Sequence, residues 1–172
     1  MNQRKVNVGS AHSQSRAVIY PGSFDPLTNG HLDILNRALA VFSNVTIVVA
    51  STVRKDALFS PQERVDLIRE IVGMHENVNV DLWPGLIMDY AREKKIPAVI
   101  RGLRAASDFE YEFMMASMNK QLNPRVETVF MMTSQDLYFV SSTMIKELYR
   151  YGGDISPYVP RQVIQKLKEK KT

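Results

Sequence analysis

The chain has no cysteine among its 172 residues. That excludes disulfides, thiolate metal sites, iron–sulfur clusters and a cysteine nucleophile, and it agrees with a reducing compartment. No apolar run approaches the roughly 20 residues needed to span a bilayer, and the first residues lack the apolar stretch of a secretion signal. A soluble, cytoplasmic protein with no membrane partner is therefore expected. Neither a GxGxxG fingerprint nor a Walker A loop is present, which disfavours a dinucleotide-dependent dehydrogenase and a P-loop kinase. Repeats, low-complexity tracts and linkers are also lacking. What remains, 45% hydrophobic and 23% charged residues, is the composition of one ordinary domain that can bury a core unaided.

Net charge is +4, and much of the excess sits at the two ends, in Arg4, Lys5, Arg16, Lys166, Lys168, Lys170 and Lys171. Without interleaved aromatic residues these read as solvated termini, so no nucleic-acid partner is expected. Residues 1–16 are polar and aperiodic, a disordered leader or a cloning remnant, and His12 within them is discounted as a ligand. The folded domain is assigned to 17–172.

From Ala17 onward, short β-branched runs alternate with amphipathic stretches. Ala17–Tyr20, Val45–Ala50, Val78–Leu82, Ala98–Ile100 and Val126–Met131 suit strands of a buried parallel sheet. Leu32, Leu35, Leu39 and Phe42 share one helical face, as do Val65, Ile68 and Val72. Ser60, Pro61 and Glu63 form a capping box with proline at the first helical position. Further helices are predicted over about Leu86–Lys94, over about Asp108–Gln121, from Thr143 to Gly152-Gly153, and after Pro160. Such alternation with short links defines the α/β class: one Rossmann-like, doubly wound parallel sheet in a single domain. Ligands of these sheets bind at the carboxyl ends of the strands.

Four motifs fall at such ends. After the first strand, Gly22 and Gly30 permit close backbone approach, and Thr28 is placed to cap a helix with His31 in its first turn. Free N–H groups, the helix dipole and the imidazole then face an anion. Ser141, Ser142 and Thr143 open a later helix, where they can cap it or donate to phosphate oxygens, with Lys146 about one turn on. Arg101 and Arg104 flank Gly102, suited to bidentate phosphate binding or to surface ion pairs. Glu112 beyond them can meet a ribose or adenine edge, or pair with an arginine. Lys55, in the loop Thr52-Val53-Arg54-Lys55, can reach a phosphate as a mobile point charge. The set describes a polyanion site with no obvious nucleophile, which suffices for transfer at phosphorus by positioning and charge stabilisation.

YPGSFDPLTNGH (Tyr20–His31), RGLRAASDFEYE (Arg101–Glu112) and FVSSTMIKE (Phe139–Glu147) resemble the signatures of the phosphopantetheine adenylyltransferase family. The resemblance runs from about Arg16 to Lys168. It implies a nucleotidyltransferase domain that joins ATP to 4′-phosphopantetheine, giving dephospho-coenzyme A and pyrophosphate by direct in-line attack. It implies that His31 is catalytic, binding the ATP phosphates and stabilising the transition state. Ser23, Lys55, Ile87 and Arg101 would bind phosphopantetheine. ATP would be held by Ser23, Phe24, His31, Gly102, Leu103, Arg104 and Glu112, with Leu137, Tyr138, Phe139, Val140, Ser141, Ser142 and Thr143. Mg²⁺ is expected with ATP, held by phosphates and water rather than by protein ligands.

The resemblance also implies a homohexamer, although Met114, Met115 and Met118 are residues more often found in a core than at an interface. Ser23 stands where many members have Thr and keeps the hydroxyl. Lys146 stands where the wider superfamily often has Arg and is not assigned to the site. Two other readings share the first motif. One is a nucleotidyltransferase for nicotinamide mononucleotide or glycerol phosphate, and the other a non-catalytic nucleotide-binding module.

Overall fold

The computed structural model describes residues 16–51, 55–73 and 75–170. The expectations for residues 1–15, for Thr52-Val53-Arg54 and for Lys171 fall outside the described residues.

The strands are β1 (Ala17–Gly22), β2 (Asn44–Ala50), β3 (Val78–Trp83), β4 (Ala98–Leu103) and β5 (Glu127–Met132). The helices are α1 (Asn29–Val41), α2 (Pro61–Val72), α3 (Ile87–Lys94), α4 (Ala106–Leu122), α5 (Ser142–Arg150) and α6 (Arg161–Glu169). All strand pairs are parallel, in the order β3-β2-β1-β4-β5. This is the Rossmann-like α/β sheet expected from the strand–helix alternation, with its order reversing between β1 and β4.

β1 and β4 end later than their apolar runs suggest, because Pro21 and Gly22 lie in register with Val48 and Val49 of β2, and Arg101, Gly102 and Leu103 with Phe130, Met131 and Met132 of β5. Pairing holds them extended beyond the last β-branched residue. On the other side, β1 and β4 share only the pair Ile19↔Val99. Pro21, which has no N–H to donate, sits where that ladder has already opened. The Arg101 guanidinium crosses the gap instead, its Nη1 donating to the Pro21 carbonyl at 3.2 Å. The separation of β1 from β4 makes the crevice at the switch point.

Side chains alternate across the sheet, so Val18 and Tyr20 join one buried cluster with Ile34, Leu35 and Ile68, while Ile19 joins another with Met88, Ala91 and Val99. A third cluster, Phe59, Leu67, Val140, Ile145, Val159 and Val163, joins α2 to α5 and α6. Ser60 caps α2 as its sequence requires, accepting from the Glu63 N–H at 3.2 Å while Glu63 accepts from the Ser60 N–H. A cap of this kind is worth about 1 kcal/mol.

The α4 helix differs from the others. None of its described side chains is buried, and Met114 and Met118 are 62% and 60% exposed. The core reading of these methionines is therefore corrected. Apolar residues surround the helix instead of forming one stripe, and the sheet can cover only one side of it.

Candidate active site

The end of β1 turns sharply into α1. Phe24 adopts φ of +49°, a left-handed conformation that costs a non-glycine residue about 1–3 kcal/mol and survives only where its surroundings enforce it. Here its ring folds back and is 2% exposed, packed edge-on against Tyr20 and His31 at centroid distances of 5.4 and 5.1 Å. Position 22 must be glycine for this, since a Cβ there would lie 2.9 Å from the Phe24 ring.

Thr28 caps α1, and His31 completes its capping box in the place usually taken by Glu or Gln. The Thr28 N–H donates to His31 Nδ1 at 3.0 Å, which makes Nδ1 an acceptor and puts the ring proton on Nε2. Thr28 Oγ1 lies 2.9 Å from the same nitrogen. Burial, reinforced by Arg104 and Arg101, pushes the imidazole pKa down to about 4. His31 is thus a neutral, oriented N–H donor at neutral pH. Burial likewise raises the Tyr20 phenol above its ordinary value, keeping that group protonated beneath Arg101.

A cavity of about 270 Å³ opens above this turn. Of the residues named from the sequence, Gly22, Ser23, Phe24, Thr28, Gly30, His31, Arg101, Gly102, Arg104, Val140, Ser141, Ser142 and Thr143 line it. Ser141 caps α5 by accepting from the Met144 N–H at 3.1 Å, and Ser142 Oγ donates to the Pro26 carbonyl at 2.9 Å. The start of α5 is thereby fastened to the β1–α1 turn. That turn is also tied to the segment before α6, since the backbone N–H and side-chain amide of Asn29 donate to the Tyr158 and Pro157 carbonyls at 2.8 and 3.0 Å.

Both arginines line the cavity while already ion-paired. Arg101 makes a two-pronged contact with Glu112 at 2.6 Å for each bond. Arg104 grips Asp108 through Nε and Nη2 at 3.0 and 3.2 Å, leaving its Nη1 outside that pair. The carboxylates fix the forks in place, and Glu112 reaches the site through Arg101 instead of lining it.

The remaining candidates lie apart from the cavity lining. Leu103 is buried at the end of β4, and Ile87, at the start of α3, packs against the cluster of Ile19, Met88 and Val99. Leu137, Tyr138 and Phe139 lie behind Val140, where Phe139 stacks edge-on with Tyr158. Lys55 is exposed on the loop after β2. The sequence reading assigned no site role to Tyr20, Ile34 or Thr133, which also line the cavity. Tyr20 and Ile34 carry only a core signal, because their side chains serve the core and the cavity wall together. Lys146, which the sequence left unassigned to the site, directs its ammonium to Asp56 and Asp25. Among the described residues no cluster of His, Asp or Glu could hold a metal ion, and no helix is long and apolar enough to cross a membrane.

This crevice at the switch point, with an oriented imidazole, two hydroxyl-bearing helix starts and two fixed arginines, has the form of a nucleotidyl-transfer site. A profile of the cytidylyltransferase-like family matches residues 19–148. A phosphopantetheine adenylyltransferase from Anaeromyxobacter sp. (strain K) is 51% identical over 156 residues, covering 91% of this chain and 95% of that protein. Another, from Alkaliphilus metalliredigens, is 48% identical over 152 residues, covering 88% and 97%. The chain belongs to the phosphopantetheine adenylyltransferase family. Its fold also matches the crystal structure of a bifunctional NMN adenylyltransferase/ADP ribose pyrophosphatase from Francisella tularensis, with a TM-score of 0.62 and 15% identity. The match covers 87% of this chain but only 44% of that one, so it speaks to the fold alone.

Proposed function

We propose that the protein transfers the adenylyl group of ATP to 4′-phosphopantetheine, giving dephospho-coenzyme A and pyrophosphate. An oxygen of the acceptor phosphate forms a bond to the α-phosphorus while the bond from that phosphorus to the bridging oxygen breaks, and pyrophosphate leaves. The nucleophile is already an anion, so no side-chain base is needed. The observation that carries this reading is the orientation of His31: its Nδ1 is held by Thr28, which directs Nε2–H as a donor toward charge developing on the α-phosphate. Ser141, Ser142, Thr143, Arg104 and the Gly102 backbone are the proposed ATP contacts. Arg101, Ser23, Lys55 and Ile87 are the proposed contacts of the acceptor.

The cavity lining offers hydroxyls and carbonyls but no carboxylate. That donor set fits a Mg²⁺ that would arrive on the triphosphate and neutralise phosphate charge there, with the lining hydroxyls of Ser23 and Ser142 available to it. The cytoplasm is the proposed location. The uncovered apolar residues of α4, Phe109, Phe113, Met114 and Met118, support self-association. The proposed number of six copies rests on the family resemblance.

The test is pyrophosphate release with 4′-phosphopantetheine, nicotinamide mononucleotide or glycerol phosphate as acceptor. Turnover with the first alone is expected. Turnover with another, or ATP binding without turnover, would sink the reading. Light scattering should give the mass of a hexamer.

A further inference from the structure

The sequence places Lys146 one turn beyond the three hydroxyls of α5, yet its ammonium lies 3.0 Å from Asp56 and 3.5 Å from Asp25. The Lys146 side chain is 9% exposed and that of Asp25 5%. Asp25 is already well supplied with donors. Its carboxylate accepts from the Leu58 and Phe59 N–H groups at 3.1 and 2.9 Å, and the buried Arg64 approaches it at 3.9 Å. Arg64 in turn donates to the Phe59 and Ser23 carbonyls at 2.9 and 3.1 Å. The β1–α1 turn, the end of the loop after β2 and the second turn of α5 therefore meet at one four-charge network.

Asp56 is the member whose presence burial does not explain, since its side chain is 50% exposed. It is also the neighbour of Lys55. Leu58 and Phe59 hold the far end of the loop to Asp25, and Asp56 extends that hold to the residue next to the loop lysine. A lysine binds phosphate as a point charge on a flexible stem. Its contribution therefore depends on where the backbone holds the stem, and on how much ordering remains to be done on binding.

We infer that Lys146 is a positioning residue for the acceptor: by holding Asp56 it fixes the loop that carries Lys55, while the first turn of the same helix faces the nucleotide. The inference rests on the proposed reaction and on Lys55 as a ligand of the acceptor phosphate. One helix then serves both substrates, with its hydroxyls at the ATP side and its lysine acting at a distance on the other.

Steady-state kinetics with each substrate varied in turn provides the test. Asp56→Asn should raise KM for 4′-phosphopantetheine about fivefold, with kcat and KM for ATP changed less than about twofold. Lys146→Met should show the same split, and Lys146→Arg should restore KM for the acceptor to within about twofold of the parent. The double variant, Lys146→Met with Asp56→Asn, should have an acceptor KM no worse than the poorer single variant, because the Lys146–Asp56 contact is already lost in each. An Asp56→Asn protein with unchanged acceptor KM, or with KM for both substrates raised equally, overturns the inference. If Lys146→Met fails to fold, Asp56→Asn decides alone. A parent protein that does not use 4′-phosphopantetheine removes the proposed reaction and the inference with it, whereas an active parent with an unaffected Asp56→Asn removes the inference only.

Discussion

The two sides of the crevice are built differently. The side proposed for ATP is made mainly of backbone turns and short side chains beside the Arg104 fork: a left-handed Phe24, a His31 locked by Thr28, and a Ser142 fastened to Pro26. The side proposed for the acceptor depends on long side chains. Arg101 spans the gap between β1 and β4, and Lys55 stands exposed on a loop outside the cavity lining. The fold sets the first side before any ligand arrives, while the second combines an Arg101 held by Glu112 with an exposed Lys55 whose stem retains freedom. Substitutions on the first should therefore act through turnover and those on the second through affinity.

The sharpest way to break that contrast is His31→Ala. Its kcat should fall by about two orders of magnitude or more with the fold retained, as for loss of a transition-state donor. Near-normal turnover in a folded variant would leave the ATP side without its distinguishing feature. Next in size, Lys55→Ala should raise KM for 4′-phosphopantetheine about tenfold while moving KM for ATP little. Equal changes for both substrates would dissolve the division between the sides. Glu112→Gln probes the border, because it removes the charge that fixes the Arg101 fork. A loss of about 1–2 kcal/mol in urea unfolding is expected for this partly buried pair. An unchanged midpoint would show that Arg101 is held by Pro21 alone.

The pH dependence sharpens the same point. The folded pKa of His31 is lowered from 6.5 to about 4, so between these values the unfolded chain binds the extra proton. The stability contributed by this group is complete above about pH 6.5 and is lost as the pH falls toward about 4. Urea midpoints at about pH 7 and about pH 4.5 should diverge less in His31→Gln than in the parent. The smallest effect should come from Thr28→Val, at about 1 kcal/mol of stability. A drop in kcat larger than that in stability would show Thr28 acting through the His31 ring.

Much of this arrangement was legible in the sequence because it is encoded locally. Strand runs and the Ser60–Glu63 box announce themselves within a few residues, and Thr28 was readable as a cap. Its partner was not, since a histidine at the third helical position gives no sign that its Nδ1 will close the box. The pairing of Arg101 with Glu112 was open beside a ligand role, and only the approach of α4 to β4 decides for the pair. The partners of Lys146 lie beyond local reading for a similar reason. Helical spacing fixes which way its Cβ points, but Asp25 and Asp56, 121 and 90 residues away in the chain, determine where the ammonium goes. Met114 and Met118 were misread because apolar character alone does not say whether the chain itself supplies the cover.

The bonds from Asn29 to Pro157 and Tyr158, and from Ser142 to Pro26, span more than a hundred residues. For a chain synthesised from its N-terminus, they reverse the order in which the turn is made and finished. β1 and the residues of the turn leave the ribosome among the first, yet their fastenings arrive only after α5 and the segment before α6 have emerged. Contacts of such separation close late because the intervening loop must first lose its freedom. A chain arrested before residue 140 holds all five strand segments, but it lacks the wall and both ties of the anion-binding turn. The capacity to grip a nucleotide is therefore withheld until the C-terminal helices dock.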